Sequence, residues 1–386
     1  MAFGAAAAGS AALGWAARRR ALAGVAPLGQ EWEDLHDPVH GTPVTVRAPD
    51  STRLHAEVLG PKGAPALVLV HGYGLSQHAW HYQRRALSQR FRVVCYDQRG
   101  HGASAEAASG DYRMPMLGQD LAAVLSATTE PDEPVLVVGH SMGGMATLSF
   151  AEQHPERAAD LAGVALLSTA AGNVIAGGAF TAGAATLGAL SGRLRPRLPW
   201  RRAAEDDDAD TGAKAASGAA AGVAATAGGA DAAGVSSEAL TDLLDASGAA
   251  AEHGEGHSPR DWTDTPSTDS VFLLTRAIGL GPRAHPAHVA FTEQLLRECP
   301  NRVMAALGPT LTSVRLTHVA RQLTMPARVL VGDADRLTPQ GQAERLAALM
   351  PRAEMAVIPD AGHMLPLEAH ERVTHNLVDL ADTVLA

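Results

Sequence analysis

The chain is poor in cysteine and lysine, and no basic surplus balances its acids. Cys95 and Cys299 stand far apart among 386 residues, which makes neither a disulfide framework nor a metal-ligand cluster. Both read as buried apolar side chains. Lysine occurs only at Lys62 and Lys214, and the formal net charge is −10. A chain of that sign offers no basic face to track phosphates, so nucleic acid is set aside as a partner. With 46% apolar residues the chain is long enough to bury one large α/β domain with an accessory element, and nothing in it demands two independent folding units.

A long, strongly apolar run is also missing. Met1 to Ala17 carries no charged side chain and is followed by Arg18-Arg19-Arg20, but it is too short and too weakly hydrophobic for a comfortable membrane-spanning helix. Three readings stay open for residues 1–26: a marginal membrane segment held by the arginines, a signal sequence with its basic residues on the wrong side, or an alanine-rich tail. The matching expectations are a cytoplasmic or membrane-associated protein, with any membrane association made through residues 1–20. Oligomeric state is not legible.

From Thr42 the pattern becomes regular. Val44 and Val46, then Leu54, Ala56 and Val58, alternate with polar residues around Asp50-Ser51, as an antiparallel hairpin requires. The next runs are continuously apolar: Leu67 to Val70, Val93 to Tyr96, Val135 to Val138, Val164 to Leu167 and Val329 to Val331. Such runs are strands covered on both faces, which belong to a parallel sheet. Helical stretches at Met116 to Ala127, Met145 to Gln153, Ala343 to Met350 and Leu367 to Leu385 complete a β-α-β-α order. The expected fold is therefore α/β, a doubly wound, mostly parallel sheet, with its core in 42–170 and 322–386.

Residues 171–321 interrupt that rhythm and read as an inserted helical cap or lid. Within it, 201–258 is an acidic and Ala/Gly tract with scarcely an aromatic or β-branched residue, and is expected to be mobile. Val271 to Leu280, Pro286 to Glu298 and Arg302 to Leu311 have helical periodicity, and their apolar side chains are suited to roofing a pocket. His253-Gly254-Glu255-Gly256-His257 places its glutamate wrongly for a zinc-protease helix, and its glycines weaken the helix that would align the imidazoles, so no metal site is expected. Asp206 to Asp210 reads as a solvated surface run.

The strongest chemical signal is Gly139-His140-Ser141-Met142-Gly143-Gly144, placed directly between a buried strand and a helix. A serine on such a sharp turn projects its hydroxyl above the sheet, and glycines two positions either side allow neighbouring chain to pass close by. The hydroxyl is a weak nucleophile until a base takes its proton, so a histidine oriented by a carboxylate is required later in the chain. Gly332-Asp333-Ala334-Asp335, after the strand Arg328 to Val331, and Gly362-His363, after Met355 to Ile358, supply both in that order.

With His71-Gly72-Tyr73-Gly74 and Asp97-Gln98-Arg99-Gly100-His101-Gly102, these motifs make the sequence resemble the α/β-hydrolase family over most of Thr42 to Ala170 and Met325 to Ala386. The resemblance implies a catalytic triad of Ser141, His363 and Asp335, with Asp333 as the alternative acid. It places an oxyanion hole at the backbone N–H groups of Met142 and Tyr73. Gly72, Leu75, Trp80, His140 and Met364 are the candidates for the substrate pocket, together with the Tyr73 side chain. Asp97 and Arg99 read as structural, and His101 and His140 as packing beside the site.

What the resemblance implies for function is ester hydrolysis through an acyl-enzyme, of the carboxylesterase or monoacylglycerol-lipase kind, on a small and apolar acyl substrate with no cofactor. Serine at the elbow speaks against epoxide hydrolases and haloalkane dehalogenases, where the resemblance would call for aspartate. A thioesterase, lactonase, C–C bond hydrolase or cofactor-free perhydrolase uses the same triad, and a non-catalytic hydrolase-fold binding protein is the alternative of a different class.

Overall fold

A computed structural model of the chain describes residues 28–37, 39–130, 133–172 and 270–385. The expectations for residues 1–26, for the tract 201–258 and for His253 to His257 lie outside these residues.

Among the described residues eight strands form one sheet in the order β1-β2-β4-β3-β5-β6-β7-β8. They are β1 (Thr42–Arg47), β2 (Arg53–Leu59), β3 (Ala66–Val70), β4 (Arg92–Tyr96), β5 (Val135–His140), β6 (Gly163–Leu167), β7 (Ala327–Gly332) and β8 (Ala353–Ile358). The first two make the expected hairpin, with Val44 opposite Ala56, and β2 pairs antiparallel with β4. All remaining pairs are parallel. The chain thus has a mostly parallel, doubly wound sheet.

The unbroken apolar runs follow from cover on both faces. Along β3, Val68 and Val70 join one apolar cluster with Leu117, Leu121 and Phe150, while Leu67 and Leu69 join the opposite one with Leu87, Leu377 and Trp80. Successive side chains of a strand point to opposite faces, so a strand with helices on both sides needs an apolar residue at every position. The first cluster is closed by α3 (Met114–Thr128) and α4 (Met142–Gln153), which come after α1 (Gly29–Leu35) and α2 (His81–Leu87) in the chain. Beyond them lies the short α5 (Pro155–Ala159).

Between β6 and β7 the described residues form α6 (Ser270–Gly279), α7 (Pro286–Glu298), α8 (Asn301–Ser313) and α9 (Thr317–Ala320). These helices meet the loops at the carboxyl ends of the strands. Leu296 of α7 and Met304 of α8 crowd Gly74 after β3, and Val303 crowds Gly100 after β4. The chain closes with α10 (Gln340–Leu349), α11 (Leu365–Glu368) and α12 (His370–Val384). No helix among the described residues is long and apolar enough to cross a membrane.

Candidate active site

Ser141 is the single residue between β5 and α4, at φ 51° and ψ −117°. That left-handed backbone is costly for a residue with a side chain and persists only where the surroundings impose it. Here they do. A Cβ on Gly143 would lie 2.2 Å from the Val70 carbonyl oxygen, and one on Gly139 would lie 2.6 Å from the Gly144 Cα, so strand, turn and helix touch backbone to backbone. The turn is pinned further by the Ser141 N–H on the Leu167 carbonyl at 2.9 Å and by the Thr169 hydroxyl on the Ser141 carbonyl at 2.6 Å.

The three sequence-distant motifs meet. His363 Nε2 lies 2.9 Å from Ser141 Oγ, and His363 Nδ1 lies 3.0 and 3.2 Å from the two oxygens of Asp335. A carboxylate can only accept, so the ring proton sits on Nδ1 and leaves Nε2 as an acceptor facing the serine hydroxyl. All three side chains are buried. Burial alone would push the Asp335 carboxyl up. The charge and hydrogen bond of His363 and the donors of Thr338 outweigh it and hold the carboxyl below its ordinary value.

Thr338 was not singled out from the sequence. Its N–H and that of Leu337 each donate to Asp335 Oδ1 at 2.9 Å, and its hydroxyl donates to Oδ2 at 2.8 Å. An aspartate that bonds backbone two and three residues on is an Asx-type turn, a signal carried by Asp335 to Thr338 itself. Asp333, the alternative acid, is exposed, and its backbone N–H is bonded to Ile358. Asp335 is the one the fold brings to the imidazole.

The loop after β3 stands beside the nucleophile. A Cβ on Gly72 would be 3.2 Å from Ser141 Cβ and 3.0 Å from His140 Nδ1, so any side chain here would press on the nucleophile and its neighbour. Two buried histidines fix the loop. His71 Nδ1 donates to the Gly72 carbonyl at 2.8 Å while its Nε2 accepts from Gln98 N, and His101 Nε2 accepts from Gly74 N at 3.1 Å while its Nδ1 donates to the Arg99 carbonyl. Each ring uses one donor and one acceptor and is therefore neutral, in line with burial lowering both pKa values. The Gly72 carbonyl and the Tyr73 N–H share one planar trans peptide and point oppositely, so the His71 bond, with a longer one from the Leu75 N–H at 3.3 Å, sets the direction of the Tyr73 N–H. Met142 opens α4, where an N–H has no acceptor within the helix.

Asp97 and Arg99 brace this end of the sheet. Asp97 accepts from the N–H groups of Gln77 and Ala103, and Arg99 forks onto Asp120 with both contacts at 2.6 Å.

The pocket candidates divide. Leu75 and Met364 share an apolar cluster with Leu280, Phe291 and Leu295, where the inserted helices meet the loops of the sheet. The Tyr73 hydroxyl donates to the Met304 carbonyl of α8 at 2.7 Å, which ties its side chain to the same helices. Trp80, by contrast, is fully buried in the cluster beneath the sheet with Leu67 and Leu69. His140 is buried and neutral, its pKa lowered to about 3 by burial, and its Nε2 donates to the His363 backbone carbonyl at 2.9 Å. No group of side chains suited to holding a metal ion occurs among the described residues.

The fold agrees with what comparison with known proteins finds. A profile of the alpha/beta hydrolase fold matches residues 65–211. Epoxide hydrolase 4 of Mus musculus is 34% identical over 32% of this chain and 34% of its own length. Pimeloyl-[acyl-carrier protein] methyl ester esterase of Aeromonas hydrophila is 38% identical over 26% of this chain and 37% of its own. The chain thus spans little more than a third of these curated relatives in the matched regions. Among solved structures, a thermophilic esterase from Thermogutta terrifontis superposes with a TM-score of 0.60 at 22% identity, over 89% of this chain and 98% of that one.

Proposed function

Because this chain is an α/β-hydrolase by fold, we propose that it is a serine hydrolase that cleaves carboxylic esters of the carboxylesterase or monoacylglycerol-lipase kind. The observation that carries the reading is the unbroken series Asp335, His363, Ser141, held at hydrogen-bond distance at both joints.

In the reaction so read, His363 Nε2 takes the hydroxyl proton as Ser141 Oγ bonds to the ester carbonyl carbon, and Asp335 stabilises the resulting imidazolium. The carbonyl oxygen, now negative, receives the N–H groups of Met142 and Tyr73. Collapse expels the alcohol with the proton from His363 and leaves the acyl group on Ser141. Water, deprotonated by the same imidazole, then releases the acid.

Serine occupies the elbow position at which epoxide-hydrolase chemistry calls for aspartate, which speaks against that activity. The apolar cluster of Leu75, Met364 and Phe291 beside the site favours an apolar acyl or alcohol group. A panel of p-nitrophenyl esters from acetate to decanoate, set against a thioester, a lactone and styrene oxide, tests the reading. Turnover of the esters with no opening of the epoxide is expected. Preference for thioester or lactone would move the substrate class, and epoxide opening would overturn the assignment.

A further inference from the structure

The His140 contact above already holds the backbone of His363, and a further residue adds to it. Glu368, at the end of α11, turns its half-buried carboxylate back onto the loop: Oε2 accepts from Gly362 N at 3.1 Å and Oε1 from Met364 N at 2.9 Å. These residues flank His363 on either side. The same Oε2 also accepts from Gly281 N, at the start of the segment joining α6 to α7.

The two segments are in direct backbone contact. A Cβ on Gly281 would lie 2.3 Å from the Asp360 carbonyl oxygen, and one on Gly362 would lie 2.4 Å from Gly281 N. The His363 N–H donates to the Gly279 carbonyl at 3.0 Å, and the His363 carbonyl accepts from His140. Its own N–H and carbonyl thus pin the two peptides that flank His363, and what remains to be set is the Ala361–Gly362 peptide, through the Gly362 N–H, and the tightness of the Met364 N–H. The Glu368 carboxylate holds both.

We propose that Glu368 is a positioning residue for His363, setting the imidazole against Ser141 by bridging Gly362, Met364 and Gly281; this rests on the serine-hydrolase reading above. Burial pushes the Glu368 carboxyl up from its ordinary value, and the three N–H donors and the charge of His363 oppose that rise. Loss of the carboxylate leaves the Gly362 and Gly281 N–H groups without their acceptor and the Met364 N–H with only the longer 3.2 Å bond to the Gly279 carbonyl. A nucleophile and base separated by even an ångström more than the productive distance lose about 100-fold in rate. Substrate binding does not use this group, so the loss falls on kcat.

The test compares Glu368→Ala, Glu368→Gln and Leu377→Ala in the full chain, with the best ester of the panel. Leu377 is buried beneath the sheet and makes none of the hydrogen bonds around His363, so its truncation lowers stability while leaving those bonds in place. For Glu368→Ala, kcat per folded molecule is expected to fall by about 10- to 100-fold with KM within about twofold, as geometric misplacement predicts. Glu368→Gln, which keeps a carbonyl oxygen for part of the contacts, should recover part of that loss, and Leu377→Ala should lower the melting temperature with kcat per folded molecule unchanged. A Glu368→Ala enzyme with wild-type kcat per folded molecule overturns the proposal, as does a loss confined to KM. An inactive wild type that also resists a fluorophosphonate overturns the triad reading itself, and the role of Glu368 with it.

Discussion

His363 Nε2 stands 2.9 Å from Ser141 Oγ across a sequence separation of 222 residues. The contact depends on β5 and β8 ending on the same side of one sheet, with two strands between them. Ser141→Ala should therefore lower kcat by about a millionfold, the scale seen when a triad nucleophile is removed. Its melting temperature should stay near that of the wild type, because the strained turn is held by glycines and backbone bonds that the substitution leaves intact. Ester turnover and thermal unfolding of the same preparation check both halves.

Asp335 and Asp333 are separated by one residue but differ in burial and in partner. Asp335→Asn should cut kcat by about 10³- to 10⁴-fold, since an amide opposite Nδ1 no longer holds the imidazole in the required tautomer. Asp333→Asn should leave kcat within about twofold, as expected of an exposed substitution remote from the imidazole. Steady-state kinetics of the pair decides between them, and the larger loss at Asp333 would refute the assignment.

His71 acts on the oxyanion peptide without touching substrate. Removing its Nδ1 donor in His71→Ala leaves the Gly72 carbonyl with only the longer 3.3 Å bond from the Leu75 N–H and loosens the direction of the Tyr73 N–H. A fall in kcat of about 10- to 100-fold is expected, less than the full loss of an oxyanion donor, with KM little changed. An effect on KM alone would place His71 outside the reaction.

The core strands and the triad were legible because their physics is local. A strand covered on both faces must be apolar throughout, and a strand-to-helix elbow must carry glycines around its serine. Glu368 and the contacts of His71 were not, because each acts on a backbone group whose position depends on the tertiary fold, whereas the Asx-type turn from Asp335 to Thr338 is local and was legible but unread. α2 was missed for a related reason: its inward face includes His81, Gln83 and Arg84 as well as Leu87, so it has no apolar stripe to read. Arg84 is buried there because Glu57 and the Val39 carbonyl receive it. Trp80, expected at the pocket, fills the lower face of the sheet, where a large ring contributes more by packing among Leu67 and Leu69.

Glu57 gives the fold an acid limit. Burial pushes its carboxyl up, but the hydrogen bond of His55, the charge of Arg84 and the Gly41 N–H overcome this and draw it from 4.5 down to about 2. A carboxyl lower in the folded chain than in the unfolded one contributes stability that is complete above 4.5 and lost as pH falls toward about 2. His55, whose pKa the same bond raises, remains protonated through that window. Urea midpoints measured from pH 6 to pH 3 should fall, and Glu57→Gln should be less stable at pH 6 with a shallower fall below. An equally steep fall in the variant would assign the acid limit elsewhere.

The most direct measurement of the central claim is intact-mass analysis and peptide mapping of the full chain after treatment with a fluorophosphonate. A nucleophile activated as the geometry describes should take up one phosphonyl group, on Ser141, and lose that reactivity in His363→Ala. A folded protein that takes up no label, or carries it on another residue while Ser141 stays free, would contradict the account.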